Sequence, residues 1–130
     1  LRAVALAPNS GYVRYELGQV YHQRQDYADA VVTYQEALAL GYKAADIYDD
    51  LGRALAAQSK WEESAAQFRK AMEISPNDWT IRSRLAQVYW ELGQAAQATA
   101  ELENAVKLAP ETQRASLEQM FSEWTSKEKR

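Results

Sequence analysis

The chain has no cysteine and a single histidine, His22. Without thiols there can be neither disulfides nor thiolate chemistry. Neither a glycine-rich phosphate loop nor an H-E-x-x-H spacing occurs, so the usual materials for nucleotide handling and zinc hydrolysis are missing. No apolar run approaches the roughly 18 residues that a membrane span needs. Basic residues are outnumbered, 15 against 18 acidic, for a net charge of -3. With a pI near 5.2, the chain lacks the positive surplus expected of a dedicated nucleic-acid binder. What remains is ordinary for a globular protein: 130 residues, 47% hydrophobic and 25% charged, enough for one folding unit.

Against these absences stands a periodicity. Shifted by 34 residues, the sequence overlays itself. Leu17, Leu51 and Leu85 recur, followed by Gly18, Gly52 and Ala86, then Tyr21, Leu55 and Tyr89. Later in the frame come Ala30, Ser64 and Ala98, then Tyr34, Phe68 and Leu102, then Ala37, Ala71 and Ala105. Each unit closes on Leu40, Ile74 or Leu108, and Pro76 and Pro110 follow the last two. Such a period specifies stacked supersecondary units before any single helix is assigned.

The pattern resembles the tetratricopeptide repeat, a 34-residue helix–turn–helix with the spacing W-x2-L-G-x2-Y, A-x3-F, A, P. The first unit reads Arg14-x2-Leu17-Gly18-x2-Tyr21, Ala30-x3-Tyr34, Ala37; the second runs from Tyr48 to Pro76 and the third from Arg82 to Pro110. Arg14 and Arg82 replace the first aromatic, Ala86 replaces the glycine, and Tyr42 stands where a proline would close the first unit. The resemblance implies an all-α fold: a right-handed α-solenoid of helix–turn–helix repeats with a C-terminal capping helix. The units are expected at 11–44, 45–78 and 79–112. Residues 1–10 read as the remnant of a preceding unit's second helix, with Ala3, Leu6 and Pro8 in the frame of Ala71, Ile74 and Pro76. The i, i+3, i+4, i+7 stripe of Leu117, Met120, Phe121 and Trp124 predicts a capping helix over 113–126, and 127–130 form a polar tail.

Boundary signals follow the period. Asn9-Ser10 and Asn77-Asp78 can cap first helices. Ser59-Lys60-Trp61-Glu62 is expected to form a capping box, Asp26 to open the second helix of unit one, and Gly41 and Gly93 to end helices. Small residues at 18, 52, 86, 30, 64 and 98 are expected to let paired helices approach closely.

In this family the first helices line a concave groove that binds peptide segments of partner proteins. Helical phase nominates Tyr12, Tyr15, Gln19 and His22 in unit one; Asp46, Asp49, Asp50 and Arg53 in unit two; and Thr80, Ser83, Arg84, Gln87 and Trp90 in unit three. Each has a structural alternative. The aspartates favour the positive end of a helix dipole, the two tyrosines could cover the front of the stack, and Trp90 could pack under the capping helix. A lone histidine near a helix end is usually a surface or hydrogen-bonded group. The clamp by which part of the family holds a C-terminal carboxylate is disfavoured, because Asp50 occupies the place of a neutral asparagine. Glu62/Glu63 and Asp49/Asp50 are adjacent in sequence and diverge on a helix, so no catalytic carboxylate pair is expected. No cofactor and no metal is expected either, because the aspartates cannot supply enough converging oxygens. The expected role is a non-enzymatic interaction module for a protein or peptide partner, without nucleic acid or membrane insertion. The alternatives are a homo-oligomerising scaffold and the non-catalytic arm of a larger enzyme.

Overall fold

The computed structural model describes residues 10–128. They form seven helices: α1 (Gly11–Gln23), α2 (Tyr27–Ala39), α3 (Ala45–Ala57), α4 (Trp61–Ile74), α5 (Trp79–Glu91), α6 (Ala95–Leu108) and α7 (Glu111–Glu128). The expected remnant at 1–10 lies, apart from Ser10, outside the described residues. Each first helix packs on the second helix of its unit, each second helix packs on the next unit, and α7 rests on α6. The first helices also touch one another, α1 on α3 and α3 on α5, so they share one side of the stack.

What brings the helices of a pair together is narrower than small residues meeting backbone. A Cβ on Gly18 would lie 2.5 Å from the Tyr34 ring, and one on Gly52 would lie 2.9 Å from the Phe68 ring. In the third unit the facing residue is Leu102 and the small residue is Ala86, both fully buried. Glycine thus occurs opposite a ring, and alanine where the ring is replaced by a leucine. Ala30, Ser64 and Ala98, with Ala37, Ala71 and Ala105, are also fully buried. The Ser64 hydroxyl stays satisfied by donating to the Gly52 carbonyl at 2.6 Å.

The turns inside the units repeat too. Gln25, Ser59 and Gly93, spaced by the repeat, all take left-handed backbone, with φ of 65°, 60° and 76°. The amide of each bonds back three residues, and the following amide bonds back five, as in Lys60 N to Leu55 O at 2.9 Å. This closing turn is a helix C-terminal motif that prefers glycine. It also overturns the expected capping box. Ser59 is committed to ending α3, Lys60 is the N-cap of α4, and no side chain caps that helix. Ser10 and Asp26 hold the N-cap positions of α1 and α2 without a side-chain bond. Asp78 does cap α5, accepting from the Thr80 amide.

The departures at Arg14 and Arg82 have a structural answer. Arg14 pairs with Glu36 at 3.1 Å and Arg82 with Glu101 at 2.9 Å, each joining a first helix to its own second helix. In the middle unit Tyr48 keeps the aromatic and carries Lys70 Nζ 5.7 Å from its ring centroid. One position therefore ties the pair by an ion pair or by a cation on a ring.

One expectation needs correction. The capping helix is longer than 113–126 and extends into the expected tail through Lys127 and Glu128. Its Leu117 and Trp124 are buried, with Met120 and Phe121 packed beside them. The three repeat leucines differ in burial: Leu17 is 40% exposed, against 1% for Leu51 and 0% for Leu85. The latter two are covered by the second helix of the unit before them, and no described helix takes that place against α1.

Gly52→Ala should destabilise the fold by about 1–3 kcal/mol, because the added methyl overpacks the Phe68 ring. Ser59→Gly should stabilise it by about 1 kcal/mol by relieving the left-handed residue. Urea titrations of both variants check the opposite signs.

Candidate functional site

The shared face of α1, α3 and α5 carries a ladder of polar contacts with a simple rule. Tyr15 OH donates to Asp50 Oδ2 at 2.5 Å and Arg84 Nη1 to Asp49 Oδ2 at 2.5 Å, and both pairs are separated by 35 residues. A residue of one unit thus meets the residue one place further on in the next. Asp49 and Asp50 are neighbours in sequence yet face opposite units, as their divergence on a helix requires. Gln19 donates to the Tyr15 hydroxyl at 3.1 Å, and Arg53 approaches the second Asp50 oxygen at 3.4 Å. His22 Nδ1 and the Tyr34 hydroxyl share a hydrogen bond of 3.2 Å. Gln19, His22, Gln23, Tyr34, Asp50 and Arg53 enclose a polar cleft of about 220 Å³.

Burial sets the protonation of this face. The Asp49 carboxyl is held above the usual carboxylate range by desolvation, with Arg84 pulling the other way. Desolvation wins because the pairing engages only one oxygen, while the buried Oδ1 has no hydrogen-bond partner. Burial, then the positive charge of Arg53, holds His22 below its ordinary value. The Tyr15 and Tyr34 hydroxyls are raised, chiefly by burial and then by Asp50. Tyr42 is pushed up to about 12 by burial and by its hydrogen bond to Asp46.

The nominated residues divide into three sets. Tyr12 is 50% exposed. Asp46 and Arg53 are exposed too, while Gln19, His22, Asp49, Asp50, Thr80, Ser83, Arg84 and Gln87 are partly buried. Of these, Thr80 and Ser83 are spent on local bonds to Asp78 and to the Thr80 carbonyl, and Gln87 donates to Glu91. Tyr15 is buried at 5% exposure, and it supports the face by holding Asp50. Trp90 stacks on Trp124 of α7, centroids 4.9 Å apart and planes within 6°, so its ring is used by the capping helix. Sequence reasoning did not nominate Tyr34, whose hydroxyl reaches the cleft from α2, or Tyr42, whose ring stacks on Tyr15 at 5.0 Å. Tyr42 had a signal in the sequence: it is the residue in place of the closing proline. A larger opening of about 600 Å³ lies between α6 and α7, lined by Glu103, Val106, Lys107, Arg114, Glu118 and Phe121. It mixes acids with bases at a helix crossing and contains none of the nominated residues. Among the described residues no group of three or more His, Cys, Asp or Glu could hold a metal ion, and no helix is long and apolar enough to cross a membrane.

Two family models, both described as tetratricopeptide repeat, match residues 13–77 and 55–120. The chain belongs to the tetratricopeptide repeat family. Photosystem I assembly protein Ycf3 of Synechococcus sp. (strain CC9605) is 32% identical over 97 residues, covering 72% of this chain and 56% of that protein. The chain spans 12% and 56% of the lengths of two curated relatives that it matches. Among solved structures, MamA (MSR-1) superposes with a TM-score of 0.73 at 26% identity, over 82% of this chain and 62% of that one. The yeast Sti1 TPR2B domain in complex with pHsp70 gives a TM-score of 0.82 at 22% identity, over 90% and 97% of the two chains. The tetratricopeptide fold is therefore shared well beyond sequence likeness.

Because the folded state resists protonating His22, the unfolded chain binds more protons as pH falls below about 6.5. The His22 contribution is therefore intact above that value and lost on acidification. Asp49, with a raised value, contributes with the opposite sign, so the comparison must be with a variant. Melting temperatures measured at pH 7.5 and 5.5 should fall more for the wild type than for His22→Gln; equal falls would refute the assignment.

Proposed function

We propose that this chain is a protein-interaction module that holds a peptide segment of a partner along the face formed by α1, α3 and α5. The observation that carries the reading is the ladder itself. Arg53 and Arg84 stand 46% and 37% exposed on this face, each braced by an aspartate side chain that is only 14% exposed. Long cationic side chains normally lose rotamer freedom on binding; braced ones have already lost much of it. Amides at Gln19 and Gln87 and the cleft beside His22 add donors and acceptors suited to an extended, polar segment. The complex of Sti1 TPR2B with pHsp70, on the same fold, and the description of Ycf3 as an assembly protein support an interaction role.

A second reading rests on a different surface. Leu17 and Val20 of α1 are 40% and 47% exposed, while their repeat equivalents Leu51, Ala54, Leu85 and Val88 are all at 2% or less. An apolar strip that is buried in the other two units offers a seat for a helix, and in this reading a second copy of the chain supplies it.

The two readings separate by experiment. An Arg53→Ala/Gln87→Ala variant, with both changes outside the buried core, should lose a partner captured by the wild type while keeping its helicity. Retention of that partner would move the site off this face. Sedimentation should show concentration-dependent mass that Leu17→Ser/Val20→Ser abolishes; a wild-type monomer at high concentration would remove the self-assembly reading.

A further inference from the structure

Four tyrosines gather where α1, α2 and the α2–α3 turn meet. Tyr15 stacks on Tyr42 at 5.0 Å and lies 5.8 Å from the buried Tyr34. Tyr12 leans edge-on against Tyr42 at 5.7 Å. The first helix is close enough for this because Gly11 opens it: a Cβ there would come within 2.9 Å of the Tyr42 Cβ. Two hydroxyls of the cluster donate to carboxylates, Tyr15 to Asp50 and Tyr42 to both oxygens of Asp46 at 3.0 and 3.3 Å.

The three aspartates of α3 are not equivalent. Asp49 is paired with Arg84 and Asp50 with Arg53. Asp46 is exposed and, among the described residues, pairs with no cation; its bonds come from a neutral phenol. The half-exposed ring of Tyr12 leans on Tyr42, whose hydroxyl donates to this carboxylate, so the two rings lead from solvent to the charge. An aromatic face next to an anion attracts a cation by two additive effects, the ring quadrupole and the charge. The chain already makes one contact of the first kind, Lys70 on Tyr48. Tyr15 covers one face of Tyr42, and among the described residues no cation lies over the Tyr12 ring.

The geometry points to Tyr12, Tyr42 and Asp46 as a subsite for a lysine or arginine side chain of the bound segment. This rests on the peptide-binding reading and deepens it, because it fixes the charge of one anchor. The remainder of the face, with Arg53 and Arg84, differs in sign, so the segment recognised is basic at the α1 end and not uniformly basic.

Selection of a phage-displayed random peptide library on the whole chain tests the assignment. Enriched peptides should share one fixed lysine or arginine. Replacing it by norleucine in a synthetic copy should weaken binding by about five- to thirty-fold on the wild type, and by clearly less on Asp46→Asn or Tyr12→Ala. Asp46→Asn changes an exposed side chain to one of the same shape, so it serves even where Tyr12→Ala does not fold. Peptides lost on Arg53→Ala but without a fixed basic residue would overturn the subsite and leave the groove standing. A norleucine loss unchanged in Asp46→Asn would overturn it equally. No enrichment at all would overturn both.

Discussion

In each helix pair a small residue on the first helix faces a large one on the second, and the spacing of the pair is set there. Gly18 under Tyr34 and Gly52 under Phe68 leave no room for a methyl group; Ala86 faces Leu102 in the third unit. The burial of the alanines at 30, 37, 71, 98 and 105, the closing of the turns and the approach of neighbouring units all presuppose that distance. Interiors pack at close to crystal density, so a change of one methylene at such a contact is felt by its neighbours. The shared face exists only because three pairs of matched thickness stand side by side.

The electrostatics of that face follow from the packing. Bringing α1, α3 and α5 together removes water from Asp49 and Asp50, and the one-place offset between units hands each a partner from the adjoining unit. A partly buried ion pair of this kind returns little net stability once desolvation is counted. Its effect is orientation: two arginines are held in fixed directions on a surface that would otherwise carry mobile chains.

Much of the architecture was legible in the sequence because a 34-residue period and its small-residue positions are side-chain facts. Of the nominated residues, Tyr15, Gln19, Asp50 and Arg53 join in one chain of contacts, and Asp49 pairs with Arg84. The divergence of Asp49 from Asp50 was likewise readable from helical phase. Other features were not, and the reasons are physical. Ser59 carries the composition of a capping box, but the tight turn claims its backbone first. Tyr15 and Trp90 have the right phase for the groove, yet neighbours outside their own helices cover them: Tyr42 and Asp50 for one, Trp124 for the other. Leu17 matches its equivalents in every local respect, and its exposure depends only on what lies against α1. Tyr34 belongs by pattern to the core; only its hydroxyl, at the end of a buried ring, reaches the cleft.

The offset rungs have a mechanical corollary. Asp49 faces forward and Asp50 backward from one turn of α3, so that turn is a hinge leaf fastened on both sides. A ligand that draws Arg84 away from Asp49 leaves a buried carboxylate bare, and the joint between the second and third units must loosen or the carboxylate must take a proton. Arg53 meets Asp50, which in turn holds Tyr15 at the first joint. The two joints of the stack are thereby fastened at adjacent residues of one helical turn, and a change at either is felt within a single peptide unit of the other.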